Sequence, residues 1–300
     1  MPSKKRKISD LADDANELLL ALNEFQTALD EDDEDLPSGL ITTLEEFRTK
    51  LETHVSFSKV DSFVLPQVNI KSGPLFLVSE KKALAEEQGS TEIGGKALSM
   101  EVLKELIELV RKHVSVVTEA GCRVLINLIL LRVASAMSTD QMDVNIIPEY
   151  PIPKTLFPGN RSFGGVVDFL ITKLPGRYTR YLLGNPTIAL GNPTAIKGPM
   201  TSNIFEAKRD NVKAAIPQAI MAAASHCKQH SLSVLRGCVS SGEQWIFFVY
   251  NAASGGGGSV FYSEEYEIGP QYEGLPLILG LLHDWVGNTT NTQQVYFTFE

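Results

Sequence analysis

The stretches GVVDFLI at residues 165–171 and SNIFEAK at residues 202–208 decide the fold of this protein. Both are rich in β-branched and aromatic residues, which predicts two buried strands. Side chains alternate along a strand, so Glu206 and Lys208 lie on one face and the residue between them lies on the other. Asp168 stands inside the first apolar strand, where an unpaired carboxylate is costly to bury. That cost makes Asp168 the most informative single residue of the chain.

Around these two strands, the pattern predicts alternating helices and strands from residue 96 to residue 300. The predicted helices cover 100–117, 118–137, 212–229 and 274–286, and the further strands cover 144–147, 232–239, 244–250 and 260–268. Thr118 can cap the second helix, and Pro217 would break a helix interior, so the third helix is expected to begin near it. The expected fold class is therefore α/β, with a central mixed β-sheet flanked by helices.

Residues 1–95 differ in composition and are interpreted as a separate, acidic and helical N-terminal region. They hold 10 Lys and Arg against 19 Asp and Glu. The spacing of apolar residues predicts helices over 9–29 and 42–54 around an acidic run at 30–35, followed by extended segments near 63–65 and 75–78. The cluster Lys4-Lys5-Arg6-Lys7 is typical of a nuclear import signal, although such tetrads also occur in solvated tails. The nucleus, or otherwise the cytosol, is the expected location.

Composition disfavours several classes of protein. Three widely spaced cysteines fit neither a disulfide framework nor a zinc cluster, which indicates a reducing compartment. No uninterrupted apolar stretch reaches the roughly 18 residues of a membrane helix, and no apolar run of a secretory signal follows the first residues. No membrane partner is therefore expected. The chain has no Walker-type glycine loop, which argues against a nucleotide-powered motor.

The charge of −9 is unevenly distributed along the chain. Residues 150–236 hold 11 Lys and Arg against three acidic residues, a local net charge of +8. A local positive field matters more to a polyanion than the average charge, because salt screens charges beyond about 8–10 Å. Unrelated solvated charges are an equally acceptable interpretation. The candidate phosphate contacts within this segment are Arg177, Arg180, Lys197, Arg209 and Lys213.

The residues Glu206 and Lys208 suit the hydrolysis of a phosphodiester bond. A carboxylate can bind Mg²⁺, while a lysine two residues away orients or polarises the attacking water and steadies developing negative charge. Magnesium prefers oxygen ligands, which Asp168, Glu206 and the carbonyl of Ala207 would supply. The alternative is a surface ion pair between Glu206 and Lys208 without a catalytic role.

An aspartate, a variable hairpin, a Glu-x-Lys strand and a glutamine-bearing helix together resemble the PD-(D/E)XK nuclease superfamily over residues 118–250. The resemblance implies a restriction-endonuclease-like fold, Mg²⁺ or Mn²⁺ as cofactor, and DNA rather than RNA as substrate. It assigns Glu119 a metal-binding or water-relay role and places Gln218 beside the Glu-x-Lys strand. Glu119 also has a structural alternative, an ion pair with Arg123 one turn later. Residues 236–248 resemble the late hairpin of fungal members.

The hairpin after Asp168 is longer than is common in that superfamily. It contains a duplication, GNPT at residues 184–187 and again at 191–194, which predicts an inserted loop. Two rival functions stay open. One is an inactive nuclease-fold protein that binds nucleic acid or protein in the nucleus. The other is an assembly module that forms a homo-oligomer through its N-terminal helices, and a recruiting partner protein is compatible with either.

Overall fold

A large mixed β-sheet with helices on both sides organises the part of the chain that the structure describes. The structure is a computed structural model, and it describes residues 54–92, 98–158, 161–192, 194–198, 200–254, 256–288 and 296–299. The predicted helix over 9–29, the acidic run and the basic cluster lie outside these residues, as does the predicted helix over 42–54 except for His54, which begins a strand.

The contacts divide the chain into two units. The described residues from Val55 to Pro158 and from Phe163 onward form one compact unit, and the described residues His54, Arg161 and Ser162 fall in the other. In the smaller unit, the described residue His54 has its Nδ1 atom 3.2 Å from Oγ of Ser162. The described residues 55–92 belong to the larger unit. The boundary expected near residue 95 falls on residues outside the described ranges and stays a prediction.

The described helices are α1 (Val64–Gln67), α2 (Lys82–Ser90), α3 (Met100–His113), α4 (Glu119–Met137), α5 (Thr179–Gly184), α6 (Pro186–Gly191), α7 (Ile216–His230) and α8 (Leu275–Gly287). The described strands are β1 (His54–Ser56), β2 (Ile70–Pro74), β3 (Phe76–Leu77), β4 (Met142–Phe157), β5 (Arg161–Pro175), β6 (Thr201–Ala207), β7 (Val234–Ser240), β8 (Gln244–Ala252), β9 (Gly258–Tyr262), β10 (Tyr266–Glu267) and β11 (Phe297–Thr298).

The main sheet is mixed, as the sequence predicts. Its strands follow the order β5–β6–β7–β8–β9–β2, with β4 paired to β5 and β10 paired to β8. Two of these pairings, β6 with β7 and β2 with β9, are parallel, while β5–β6, β7–β8 and β8–β9 are antiparallel. Strands β3 and β11 form a separate antiparallel pair. The α/β class with a mixed sheet flanked by helices is thus confirmed.

Alternation along β6 divides the core into two layers. Ile204 belongs to the hydrophobic cluster that α7 covers, and Phe205 belongs to the cluster that α4 and α8 cover. The alanines of α7 are small, so this helix packs close to the sheet, with Ala222, Ala223 and Ala224 almost fully buried. Burying a large apolar side chain stabilises the fold by about 1.5–3 kcal/mol. This sandwich of two layers holds the ends of β5 and β6 rigidly.

Helix α4 has 19 residues and is apolar enough, by length and composition alone, to cross a membrane. Its buried residues, among them Leu125, Ile129 and Val133, pack in the same cluster as Phe205. A core helix passes this test of length and composition as readily as a membrane span, and the packing of α4 accounts for its apolar content.

Three local predictions were wrong. Residues 63–65 do not form a strand, because Val64 and Leu65 open the helical turn α1. The helix expected over 100–117 ends at His113, before the β-branched residues that follow. The loop expected in the duplicated segment contains α5 and α6. Asn185 accepts a hydrogen bond from the backbone N–H of Ile188 and Pro186 occupies the first turn, so the Asn-Pro pair starts a helix here.

Candidate active site

The pairing of β5 with β6 brings Asp168 next to Glu206. The antiparallel register runs from Lys173 opposite Thr201 to Phe169 opposite Phe205, and Asp168 and Glu206 are the next residues on the two strands. The Oδ2 atom of Asp168 accepts a hydrogen bond of 2.7 Å from the backbone N–H of Ala207. Both carboxylates are buried, with 6% of Asp168 and 3% of Glu206 exposed.

Lys208 joins this pair from the first position after β6. Its Nζ lies 3.3 Å from Oε1 of Glu206 and 3.6 Å from Oε2 of Glu119. Its backbone N–H donates to the carbonyl of Ser240 at 2.8 Å, which continues the contact between β6 and β7 by one residue. The expected same-face arrangement of Glu206 and Lys208 is therefore present, and the backbone of Lys208 is fixed by the sheet.

The first turn of α4 supplies two more charged groups. Thr118 caps the helix by accepting a hydrogen bond of 3.0 Å from the backbone N–H of Gly121. Glu119 follows at the positive end of the helix dipole, where a carboxylate is favoured. Arg123 lies one turn later, with its Nη2 3.0 Å from Oε1 of Glu119 and in a close ion pair with Oδ1 of Asp168. The predicted Glu119–Arg123 pair exists, but it is part of a larger network.

Strand β4 contributes Glu149, which the sequence analysis did not single out. The residue has a φ of +50°, a left-handed conformation inside a strand, and its side chain is 73% exposed. Its Oε1 lies 3.4 Å from Nη1 of Arg123. No periodicity or motif in the sequence marks Glu149, because its place depends on the bend of β4. Arg123 carried a signal, its spacing of four residues from Glu119, which indicated only a structural ion pair.

Gln218 reaches the site from the first turn of α7. This helix begins at Ile216 with Pro217 in its first turn, as the sequence predicts. The Nε2 of Gln218 donates a hydrogen bond to Oε1 of Glu206. The other oxygen of Glu206, Oε2, is buried and has no hydrogen-bond partner. A buried carboxylate oxygen without a partner is unusual, because such groups carry a large desolvation cost.

The electrostatics of the site follow from burial and from the proximity of like charges. Burial raises the pKa of Glu206 to about 8, and the nearby charge of Asp168 adds to this effect while Lys208 opposes it. Burial also raises the pKa of Asp168, against the hydrogen bond from Ala207 and the charge of Arg123. Burial alone lowers the pKa of Lys208, but the surrounding carboxylates outweigh this effect and the pKa lies above its ordinary value.

The donor set fits a divalent cation in part. The site brings together four carboxylates and two cationic side chains, which leaves a net charge of −2 when all six are ionised. Hard carboxylate oxygens suit Mg²⁺ and Mn²⁺, and Oε2 of Glu206 is a buried oxygen that lacks a partner. Among the described residues, however, no group of three or more His, Cys, Asp and Glu side chains is arranged to hold a metal ion. The guanidinium of Arg123 takes Oδ1 of Asp168.

The five candidate phosphate contacts divide into two groups, and all five are exposed. Arg177, Arg180 and Lys197 lie in the connection between β5 and β6, at the end of β6 opposite to Lys208. Five residue steps along β6, from Thr201 to Glu206, at about 3.3 Å each separate that end of the strand from the carboxylates by about 17 Å. Arg209 directly follows Lys208 and forms an ion pair with Asp210. Lys213 borders an apolar cavity of about 250 Å³ beside the start of α7.

No protein-family model matches the chain, and no curated protein matches it. The function is therefore inferred from the geometry of the site itself.

Proposed function

We propose that this protein is a metal-dependent nuclease of the PD-(D/E)XK type, with a restriction-endonuclease-like domain, that hydrolyses phosphodiester bonds in nucleic acid. The observation that carries this proposal is the convergence of Asp168, in the middle of β5, with Glu206 and Lys208, at the end of β6, where one oxygen of Glu206 is buried without a hydrogen-bond partner. Their order, aspartate followed by Glu-x-Lys on the next strand, supports the same proposal.

Asp168, Glu206 and the carbonyl of Ala207 would hold Mg²⁺ or Mn²⁺, with Glu119 as a further carboxylate at the edge of the site. The bound cation would lower the pKa of a water molecule and balance negative charge on the phosphate. The side-chain amide of Gln218 donates to Oε1 of Glu206. The other oxygen, Oε2, therefore has no contact with this amide.

Lys208 acts on the charge that develops during the reaction. Its pKa lies above the ordinary value, so the amine stays protonated at neutral pH. A protonated amine donates hydrogen bonds and does not accept a proton. Lys208 therefore orients the attacking water or an oxygen of the phosphate and stabilises the transition state electrostatically.

DNA is the proposed substrate class, more readily than RNA, and Arg209 and Lys213 are the proposed phosphate contacts nearest in sequence to the site. The overall charge of −9 predicts weak and salt-sensitive binding, so recruitment by a partner protein or by a homo-oligomer is part of the proposal. Nuclear location and oligomerisation through the N-terminal helices depend on residues outside the described ranges.

One observation favours the second candidate function, a protein of the same fold that binds nucleic acid or protein without cleaving. Arg123 is bonded to Asp168, one of the two central carboxylates, and would have to leave for a cation to bind there. A site permanently closed in this way would support binding only.

The test uses the purified full chain with labelled single-stranded and double-stranded DNA and RNA, in Mg²⁺, Mn²⁺ or EDTA. We expect cleavage that needs the divalent cation and that falls about 100-fold or more in Asp168→Asn and Lys208→Ala. The matched control is Lys82→Ala, an exposed lysine on α2 paired with Glu86, which should keep full activity. Cleavage that survives both substitutions would falsify the proposed site, and binding without cleavage under every condition would favour the second function.

A further inference from the structure

Arg123 is surrounded by three carboxylates from three different elements. Its guanidinium contacts Asp168 on β5, Glu119 on α4 at 3.0 Å and Glu149 on β4 at 3.4 Å. A surface ion pair joins one cation to one anion, whereas one cation here serves three anions. A planar guanidinium with five N–H donors can bond several carboxylates at once.

The guanidinium of Arg123 contacts the carboxylate oxygen of Asp168 that the backbone of Ala207 does not contact. The Oδ2 atom of Asp168 accepts a hydrogen bond from the backbone N–H of Ala207, so Oδ1 is the oxygen that has no backbone donor. Arg123 is bonded to that oxygen. A divalent cation could not bind Oδ1 while the positively charged guanidinium stays beside it, because the two would repel each other strongly in a partly buried site.

The guanidinium of Arg123 is also partly exposed to solvent on the side of Glu149. The Arg123 side chain is 31% exposed, and its outermost partner, Glu149, is 73% exposed. Its Nε is buried and has no hydrogen-bond partner, so the arginine is not saturated by its present contacts. Arg123 belongs to α4 and not to β5 or β6, so the proposal below needs only a change of its side-chain rotamer.

We propose that Arg123 is an internal counter-ion that occupies the cation position of the site and competes with the divalent metal for Asp168. Arg123 neutralises the carboxylates when no metal is bound, and the metal binds by displacing it. Arg123 thereby sets the metal affinity of the site. This inference rests on the proposed function, because it takes Asp168 to be a metal ligand.

The experiment measures Mn²⁺ binding to the full chain by isothermal titration calorimetry and by the electron paramagnetic resonance signal of free Mn²⁺. The variants are Arg123→Gln, Arg123→Lys and Asp168→Asn. The matched control is Arg111→Gln, which breaks another arginine–glutamate pair, that of Arg111 with Glu243 at 2.7 Å. Circular dichroism establishes that each variant is folded, and Arg123→Lys replaces Arg123→Gln if the latter does not fold.

We expect Arg123→Gln to bind Mn²⁺ about 10- to 100-fold more tightly than the unmodified protein, with Arg123→Lys in between. Asp168→Asn should lose binding and the Arg111 control should not change. In EDTA, Arg123→Gln should melt at a lower temperature and gain more from added Mn²⁺ than the unmodified protein does.

The outcomes separate this inference from the proposed function. If the unmodified protein binds Mn²⁺ and cleaves, but Arg123→Gln binds no more tightly, Arg123 is not a competing counter-ion and the nuclease proposal stands. If only the Arg123 variants bind Mn²⁺, the counter-ion role stands and the unmodified protein is not a metal-dependent nuclease. If no variant binds Mn²⁺, both proposals fail.

Discussion

Replacing Glu206 by glutamine should make the metal-free protein more stable at high pH. Glutamine resembles the protonated carboxyl in shape and does not ionise. Burial and the charge of Asp168 raise the pKa of Glu206 from an ordinary 4.5 to about 8. The folded protein therefore keeps the proton of Glu206 over a pH range in which the unfolded chain has lost it. The stability that this proton contributes is fully present below pH 4.5 and is lost as pH rises through 8.

The size of this change in stability follows from the interval between the two pKa values of Glu206, 4.5 in the unfolded chain and about 8 in the folded protein. Each pH unit between the two pKa values changes the free energy of unfolding by about 1.4 kcal/mol. The sequence pI is 5.2, so measurements should begin at pH 6 to keep the protein soluble. Between pH 6 and pH 8 the unmodified protein should lose about 2 kcal/mol relative to Glu206→Gln, because Glu206 is already half ionised in the folded protein at pH 8.

The assay is urea denaturation in EDTA at pH 6, 7 and 8, followed by circular dichroism. The difference between the two proteins reports Glu206 together with its coupling to Asp168 and Lys208, because all other titrating groups are shared. Glu80→Gln, at an exposed carboxylate on the surface, is the control and should run parallel to the unmodified protein at every pH. A difference between Glu206→Gln and the unmodified protein that stays constant from pH 6 to pH 8 would refute the reasoning, since Glu206 would then be ionised throughout.

Two further predictions concern the fold. Gly89→Ala should lower the melting temperature and the free energy of unfolding, the latter by about 1–3 kcal/mol. The new Cβ would lie 1.9 Å from the carbonyl oxygen of Pro276 and would push α2 away from α8. An unchanged transition in calorimetry would show that these helices are not in contact. His226→Gln should protect against acid, because burial lowers the pKa of His226 to about 3 and stability is lost as pH falls below 6.5. Unfolding midpoints at pH 6.5 and 4.5 test this second expectation, and equal acid losses in both proteins would contradict it.

Local patterns in the sequence were sufficient for most of the fold. The strands around Asp168 and Glu206 were predictable because alternation and β-branching are local properties. Helix α4 was predictable from its cap at Thr118 and its apolar spacing. The apolar run at residues 63–65 has no such periodicity, and Leu65 is buried in a helical turn only because tertiary contacts select that conformation. The segment at Asn185 and Pro186 carried a helix-start signal that is also a turn signal.

The candidate site was predictable to a different extent. A motif places Asp168, Glu206 and Lys208 on neighbouring strands, and the register of β5 and β6 then brings the two carboxylates together. Arg123 and Glu149 could not be assigned in this way. Their meeting depends on the angle at which α4 approaches the sheet and on the left-handed residue in β4, and neither is written in a local pattern.

The energetic balance at Glu206 is the strongest reason to regard this cluster as functional. A buried carboxyl whose second oxygen has no partner destabilises the fold, and glutamine at the same position would avoid the ionisation cost at neutral and higher pH. Strand β6 lies inside the sheet, between β5 and β7, where a carboxyl with a purely structural role is unusual. A buried polar atom without a partner is tolerated where binding of a further group offsets its cost, and under the proposed function that group would be a divalent cation at Oε2. Lys208 contacts the other oxygen, Oε1, and Arg123 contacts Asp168, so neither of these two cations is a partner of Oε2, and under the proposed function a divalent cation would take that place.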